Sequence, residues 1–195
     1  MSRRKERNTK GKIISAAWRL FYEQGYEETT VEDIIEESGT SRGSFYHYFT
    51  GKDALLSTLS YLFDEKYEQL MEDLPPDMDR FEMLMYINGE LFGMIERTVP
   101  LELLARMYAT QLITKGEKHL LDRKRTYYRL LRQICAEGQE RGELTTEVSV
   151  NELVKVYALC ERALMYDWCI CNGEYSLKAY SASMMPVLMS KYKNK

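Results

Sequence analysis

Apolar residues recur at three- and four-residue intervals along almost the whole chain, the spacing that gathers them on one side of an α-helix. Ile13, Ile14, Ala17, Leu20 and Phe21 predict an amphipathic helix over residues 10–24, closed by Gly25. Val31, Ile34 and Ile35 predict a two-turn helix that stops at Gly39, where a residue without a Cβ can turn left-handed. Phe45, Tyr48 and Phe49 mark a further short helix. Leu55, Leu56, Leu59, Leu62, Phe63, Tyr67 and Leu70 predict one long helix over 53–73, ended by Pro75 and Pro76. Proline cannot continue the ladder and pushes its predecessor out of the helical region. Residues 79–97, 100–113, 116–141, 150–171 and 176–192 read as additional helices, with Pro186 expected to kink or end the last. No alternating strand pattern competes, so the predicted fold class is all-α.

The polar positions between these stripes give the N-terminal third its character. Thr30, with Asp33 three residues on, forms an acidic variant of the capping box, and Ser41 can cap the helix after it. On a wheel of roughly 100° per residue, Phe45, Tyr48 and Phe49 share one side of that helix. Gly43, Tyr46 and His47 gather opposite, with Arg42 and Ser44 on the flanks. Arg42 and His47 can donate to base edges or phosphates, Ser44 and Tyr46 carry hydroxyls suited to phosphate oxygens, and Gly43 permits close approach. Two short helices with such a second face form a helix-turn-helix of the DNA-reading kind. A helical hairpin whose polar face merely meets water carries the same local pattern.

Charge shifts that balance. The first 22 residues hold Arg3, Arg4, Lys5, Arg7, Lys10, Lys12 and Arg19 against Glu6 alone, in a chain whose net charge is −3. A basic arm beside a reading helix suits a phosphate backbone. Lys52 follows Gly51 at a helix start, where its ammonium and the helix amides could hold one phosphate. The acidic cluster of Glu27, Glu28, Glu32, Asp33, Glu36 and Glu37 is expected to point away from that backbone.

Residues 13–56, IISAAWRLFYEQGYEETTVEDIIEESGTSRGSFYHYFTGKDALL, resemble the DNA-binding domain of the TetR family of bacterial transcriptional regulators. The likeness lies in the apolar first helix, the phenylalanine and glycine before the loop, and the threonine-capped second helix. A Phe-Tyr-His-Tyr-Phe run and a lysine then follow in order. The resemblance implies a ligand-responsive repressor that acts as a homodimer and loosens its grip on DNA when its C-terminal domain binds a small molecule. It places Arg42, Gly43, Ser44 and His47 near bases and Thr30, Tyr46 and Lys52 near phosphates, and it assigns no ligand residue. The expected organisation is a DNA-binding domain over 1–52, including the basic arm, and an effector-binding and dimerisation domain over 53–195.

In the C-terminal part the residues are less explicit. A chain of 195 residues with 45% hydrophobic content can bury a sizeable core. No run of about 18 apolar residues suggests a membrane span, and no apolar block adjoins the basic start as in a secretory signal, so a cytoplasmic location is expected. Cys135, Cys160, Cys169 and Cys171 are few and sit in apolar helical surroundings, which favours reduced thiols. The spacing of cysteines and histidines offers no metal site, and no nucleophile or cofactor motif is present. The expectation is therefore a non-enzyme with no catalytic residue, no metal and no cofactor. The apolar circumference from Leu153 to Trp168 exceeds what one neighbour can cover, and Leu177, Tyr180, Met184, Met185, Val187 and Leu188 add a second stripe. A homodimer through the last two helices would bury both.

The expected partners are thus double-stranded DNA with a palindromic operator, a second copy of the chain and a small-molecule effector, with no membrane. Phe92, Tyr108, Tyr128, Met165 and Trp168, on apolar faces of central helices, are the candidate pocket residues. The basic run of Lys115, Lys118, Arg123, Lys124, Arg125, Arg129 and Arg132 suits an anionic effector or a solvated face. A small-molecule binder or enzyme with a vestigial helix-turn-helix is the alternative, and an activator would make the same DNA contacts as a repressor.

Overall fold

Capping chemistry and apolar spacing produce ten α-helices among the described residues. The computed structural model describes residues 2–113 and 118–194, and the side chains of all of these except residues 2–8 and 73. The helices are α1 (Ser2–Glu23), α2 (Val31–Ser38), α3 (Arg42–Tyr48), α4 (Lys52–Leu56), α5 (Leu59–Asp73), α6 (Arg80–Thr98), α7 (Leu101–Ile113), α8 (Thr126–Glu140), α9 (Val150–Ile170) and α10 (Leu177–Met189). Helices α1 to α3 form the N-terminal unit, and α5 to α10 build the larger body, with α6 packed along α10 and α8 along α9. An isolated antiparallel bridge joins Leu144 to Lys193.

Three spans depart from the expected helices. α1 begins at Ser2 rather than near residue 10, because the arm is made of helix-favouring Arg, Lys and Glu that leave no apolar signal. The helix expected over 53–73 is instead two, broken at Ser57 and Thr58. Ser57 Oγ donates to the Ala54 carbonyl (2.7 Å), Thr58 Oγ1 to Leu55 (2.6 Å) and Ser60 Oγ to Ser57 (2.7 Å), while the Thr58 amide pairs three residues back. Consecutive hydroxyls compete with the helical ladder and tighten it. The helix expected over 116–141 starts only at Thr126. A short 3-10 turn, His119–Leu121, precedes it, and the Asp122 carboxylate accepts from the Lys124 amide (2.9 Å) in a local turn. The joint expected at 114–116, and Lys115 with it, lie outside the described residues. Pro186 neither ends nor interrupts α10, which continues to Met189.

Buried apolar residues make one continuous cluster from Ile13, Phe21 and Phe45 through Leu55 and Leu59 to Leu91, Leu131 and Trp168. α4 lies at the junction, packed on both α1 and α7. Trp18 adds a polar link there, its indole N–H donating to Thr58 Oγ1 at 2.7 Å. Tyr22, also on α1, donates its hydroxyl to the Thr98 carbonyl at 3.0 Å. The N-terminal unit is thus fastened to the body at the break between α4 and α5 and at the end of α6.

Candidate nucleic-acid interface and effector cavity

The local chemistry that sets α2 and α3 is as the sequence predicts. Thr30 Oγ1 accepts from the Asp33 amide (3.1 Å) and the Asp33 carboxylate accepts from the Thr30 amide (2.8 Å), completing the capping box. That backbone hydrogen bond, with the threonine side chain's, lowers the Asp33 carboxyl below its usual range. Gly39 takes the left-handed conformation, φ 59°, that stops α2. Ser41 Oγ then accepts from the Ser44 amide (3.1 Å) to start α3.

α3 divides as its pattern implies. Phe45 is fully buried and Phe49 nearly so, while Arg42, Gly43, Tyr46 and His47 are exposed and Ser44 is partly so. The exposed face is pre-arranged: the Arg42 guanidinium lies 5.6 Å from the Tyr46 ring centroid and donates to Glu32 Oε1 (2.9 Å). Both members of that ion pair are well exposed, so exchanging Glu32 for a phosphate or base costs little. A Cβ on Gly43 would meet only Ser41 Oγ at 3.9 Å, so the space beside the backbone lies open to a partner. The Lys10 ammonium lies 5.9 Å from the Phe49 ring, beside the end of α3. Arg3, Arg4, Lys5 and Arg7 fall on the first turns of α1, and their side chains lie outside the described residues.

Lys52 is engaged within the molecule. Its ammonium turns inward and donates to the carbonyls of Tyr26 (2.7 Å), Glu27 (3.1 Å) and Thr29 (2.9 Å), and it sits 4.5 Å from the Tyr26 ring centroid. All three donors are engaged, so Lys52 braces the turn ahead of α2, and toward a phosphate it has charge to offer rather than a hydrogen bond. Arg106 on α7 also approaches Tyr26, 4.9 Å from the same ring, and is paired with Glu27 and Glu102. Tyr26, whose hydroxyl donates to Asp53, is therefore a joint between the N-terminal unit and the body. Nothing in the spacing of Tyr26, Lys52 and Arg106 announces it.

Of the candidate pocket residues, the structure brings two together. Tyr108 and Met165 line a cavity of about 30 Å³ in the body, with Tyr67, Tyr127, Glu161 and Arg162. Phe92 is instead fully buried in the packing core, and the Trp168 indole N–H donates to the Tyr175 carbonyl (2.8 Å), which fixes the end of α9. Tyr128 turns to another hollow, its hydroxyl donating to the Leu120 carbonyl (2.9 Å).

Glu161 is the polar centre of the cavity, only 2% exposed. It accepts from Tyr67 (2.9 Å), Tyr127 (2.7 Å) and the Asn88 amide (3.0 Å). Burial raises its carboxyl above the usual range against the lowering effect of those donors. Among the described residues the buried Tyr108 hydroxyl has no hydrogen-bond partner, so it is available to a guest in the cavity. The signal for Glu161 was present in the sequence: it interrupts the apolar stripe of Leu153, Tyr157, Leu164 and Trp168 at helical register. Among the described residues no three His, Cys, Asp or Glu side chains converge as a metal-binding group, and no helix is long and apolar enough to cross a membrane.

Comparisons with known proteins agree with this arrangement. Residues 13–59 match the family model described as bacterial regulatory proteins, tetR family. The fatty acid metabolism regulator protein of Bacillus subtilis (strain 168) is 24% identical over 184 residues, covering 94% of this chain and 95% of that protein. Among solved structures, FadR from Bacillus subtilis in complex with stearoyl-CoA superimposes with a TM-score of 0.67 at 24% identity, over 92% of this chain and 97% of the other. Thermus thermophilus FadR, a TetR-family transcriptional repressor in complex with lauroyl-CoA, gives a TM-score of 0.70 at 22% identity over 92% of each chain. These likenesses extend the shared fold over the whole chain.

Proposed function

We propose that this chain, which belongs to the tetR family of bacterial regulatory proteins, is a ligand-responsive DNA-binding repressor that places α3 in the major groove and releases it when a small molecule enters the C-terminal body. The observation that carries this reading is α3 itself. A seven-residue helix is anchored by buried Phe45 and presents Arg42, Gly43, Tyr46 and His47 outward. In this reading Arg42, Gly43, Ser44 and His47 face base edges, Thr30 and Tyr46 face phosphates, and Lys52 holds the turn that presents Thr30 while adding positive field. The protein works by binding, without catalysis or a cofactor.

The last two helices supply the second copy. Leu159, Ala163, Tyr166 and Ile170 form an exposed stripe on α9, and Tyr180, Val187 and Leu188 are exposed on α10. Leu159, Ile170 and Val187 are 56, 60 and 65% exposed, an apolar surface suited to a symmetric four-helix contact. A two-fold dimer implies a palindromic operator with half-sites about 34–36 Å apart.

The relatives' stearoyl-CoA and lauroyl-CoA complexes point to acyl-CoA as the effector class here. A cavity of about 30 Å³ holds little more than one water, so a long chain must part the helices around it. A ligand that binds only the parted form draws the protein towards that form, which is the differential affinity induction requires. The test is fluorescence anisotropy on a duplex selected by the protein. Lauroyl-CoA should weaken binding at least about tenfold. Tyr46→Ala should weaken all sequences alike, and Arg42→Ala should relax preference at one position by about 1–3 kcal/mol. Unchanged affinity in both variants would overturn the DNA face, and indifference to every acyl-CoA would overturn the effector class.

A further inference from the structure

The basic run noted in the sequence is not absorbed by the DNA face, and the fold divides it. Arg125 turns inward to pair with Asp64 (2.9 Å), both largely buried, and Arg129 lies beside Glu68 (3.6 Å). Arg123 and Arg132 are used differently. They join Lys155 and Arg162 of α9 around one hollow of about 220 Å³ between α8 and α9, over an apolar floor that includes Val154 and Ala158. Among the described residues, no carboxylate lines this hollow. Among the described residues, Arg123, Arg132 and Arg162 have no carboxylate partner, and Lys155 has only the exposed Glu152 at 3.6 Å. The few contacts the guanidinium groups make are to neutral oxygens: Arg132 to the Arg123 carbonyl (3.1 Å) and Arg162 to the Tyr128 hydroxyl (3.3 Å). Four like charges converging on one concavity raise its potential and repel one another unless an anion is present.

The hollow and the inner cavity stand back to back, with Arg162 in the wall of both. Tyr128, which accepts from Arg162, donates to the Leu120 carbonyl and so ties residues 118–125 to the hollow. The same segment is tied on its other side to the start of α5, where Arg125 donates to Asp64 and to the Ser60 carbonyl (2.9 Å). Ser60 is two residues beyond the Ser57–Thr58 break. Whatever draws Arg123 and Arg162 therefore pulls on the segment that holds the first turn of α5.

We propose that the hollow lined by Arg123, Arg132, Lys155 and Arg162 is an anion-binding subsite for a phosphate-bearing group of the effector, whose less polar remainder enters the adjoining cavity. This rests on the effector-responsive reading above and adds to it the chemistry of the recognised group. An anion drawing on Arg162 loosens the Tyr128–Leu120 tie and moves residues 118–125 against α5.

Calorimetric titration with inorganic pyrophosphate tests the subsite alone, and lauroyl-CoA tests it with the effector class. Arg123→Gln combined with Lys155→Gln removes two exposed charges, and an unchanged thermal midpoint confirms that the fold is intact. The wild type should bind pyrophosphate, and the double variant should bind it roughly tenfold more weakly with a shallower salt dependence. Failure of the wild type to bind pyrophosphate, or equal binding by the variant, would overturn the subsite. Pyrophosphate binding that behaves as expected without lauroyl-CoA binding would support the subsite and sink the acyl-CoA class. Equal release of DNA by lauroyl-CoA from wild type and variant would do the reverse. A loss of DNA affinity in the effector-free variant would hand these cations to the DNA backbone, and the proposal with them.

Discussion

Lys52 and Glu161 both direct their hydrogen bonds to partners inside the molecule. Three carbonyls of the turn before α2 converge on the Lys52 ammonium. Lys52→Met should therefore destabilise the N-terminal unit by about 1.5–3 kcal/mol, the range for hydrogen bonds to a charged donor. Urea unfolding measures it, and a loss of DNA affinity at unchanged stability would instead make Lys52 a direct phosphate ligand. Glu161 gathers the hydroxyls of Tyr67 and Tyr127 and the Asn88 amide in the body. Glu161→Ala strands these donors and should cost at least about 3 kcal/mol, at about 1–3 kcal/mol each. Its carboxyl is raised in the folded state by burial, so the folded protein holds the proton more tightly than the unfolded chain. Its contribution is then fully present below the ordinary glutamate range and is lost as pH rises through the folded value. Stability of the alanine variant should lack that decline, which urea midpoints across pH will show. In the sequence, the caps at Thr30, Gly39 and Ser41 were legible because each acts within about four residues. The partners of Lys52 and Glu161 lie 23 or more residues away, and no local rule reaches them.

At the scale of elements, apolar periodicity located nearly every helix and misjudged the two places where polar side chains compete with the backbone. The stripe from Leu55 to Leu70 runs through Ser57 and Thr58 without a fault in register, yet their hydroxyls fold back on carbonyls three residues earlier and divide α4 from α5. Thr58 also receives the Trp18 indole hydrogen bond, so this break is where α1 is held against the body. Thr58→Val keeps the shape and removes both bonds. It should lower stability by about 1–2 kcal/mol and shift Trp18 fluorescence, and it should reduce the factor by which effector weakens DNA binding. An unchanged coupling factor, from paired anisotropy titrations, would remove the break from the signalling route.

For the whole molecule, the all-α fold was legible in outline, and the interior of the body was not. The polar face of α3 could be drawn on a wheel because one residue, Phe45, fixes its orientation. The lining of the inner cavity could not, since Phe92, Tyr108, Tyr128, Met165 and Trp168 share an apolar pattern with the core, and only their neighbours separate Tyr108 and Met165 from the rest. The exposed Leu159, Ile170 and Val187 belong to this scale as well. If the proposed dimer forms through these residues, Leu159→Glu with Val187→Glu should give a monomer in sedimentation equilibrium and weaken operator binding, while a monomeric wild type would contradict the dimer. The most direct measurement of the central claim is selection of duplex DNA by the full chain from a random pool at physiological salt. Enrichment of an inverted repeat with half-site centres about one helical turn apart is the predicted result. A pool that returns with no enriched sequence would contradict the claim that α3 is a DNA-reading helix.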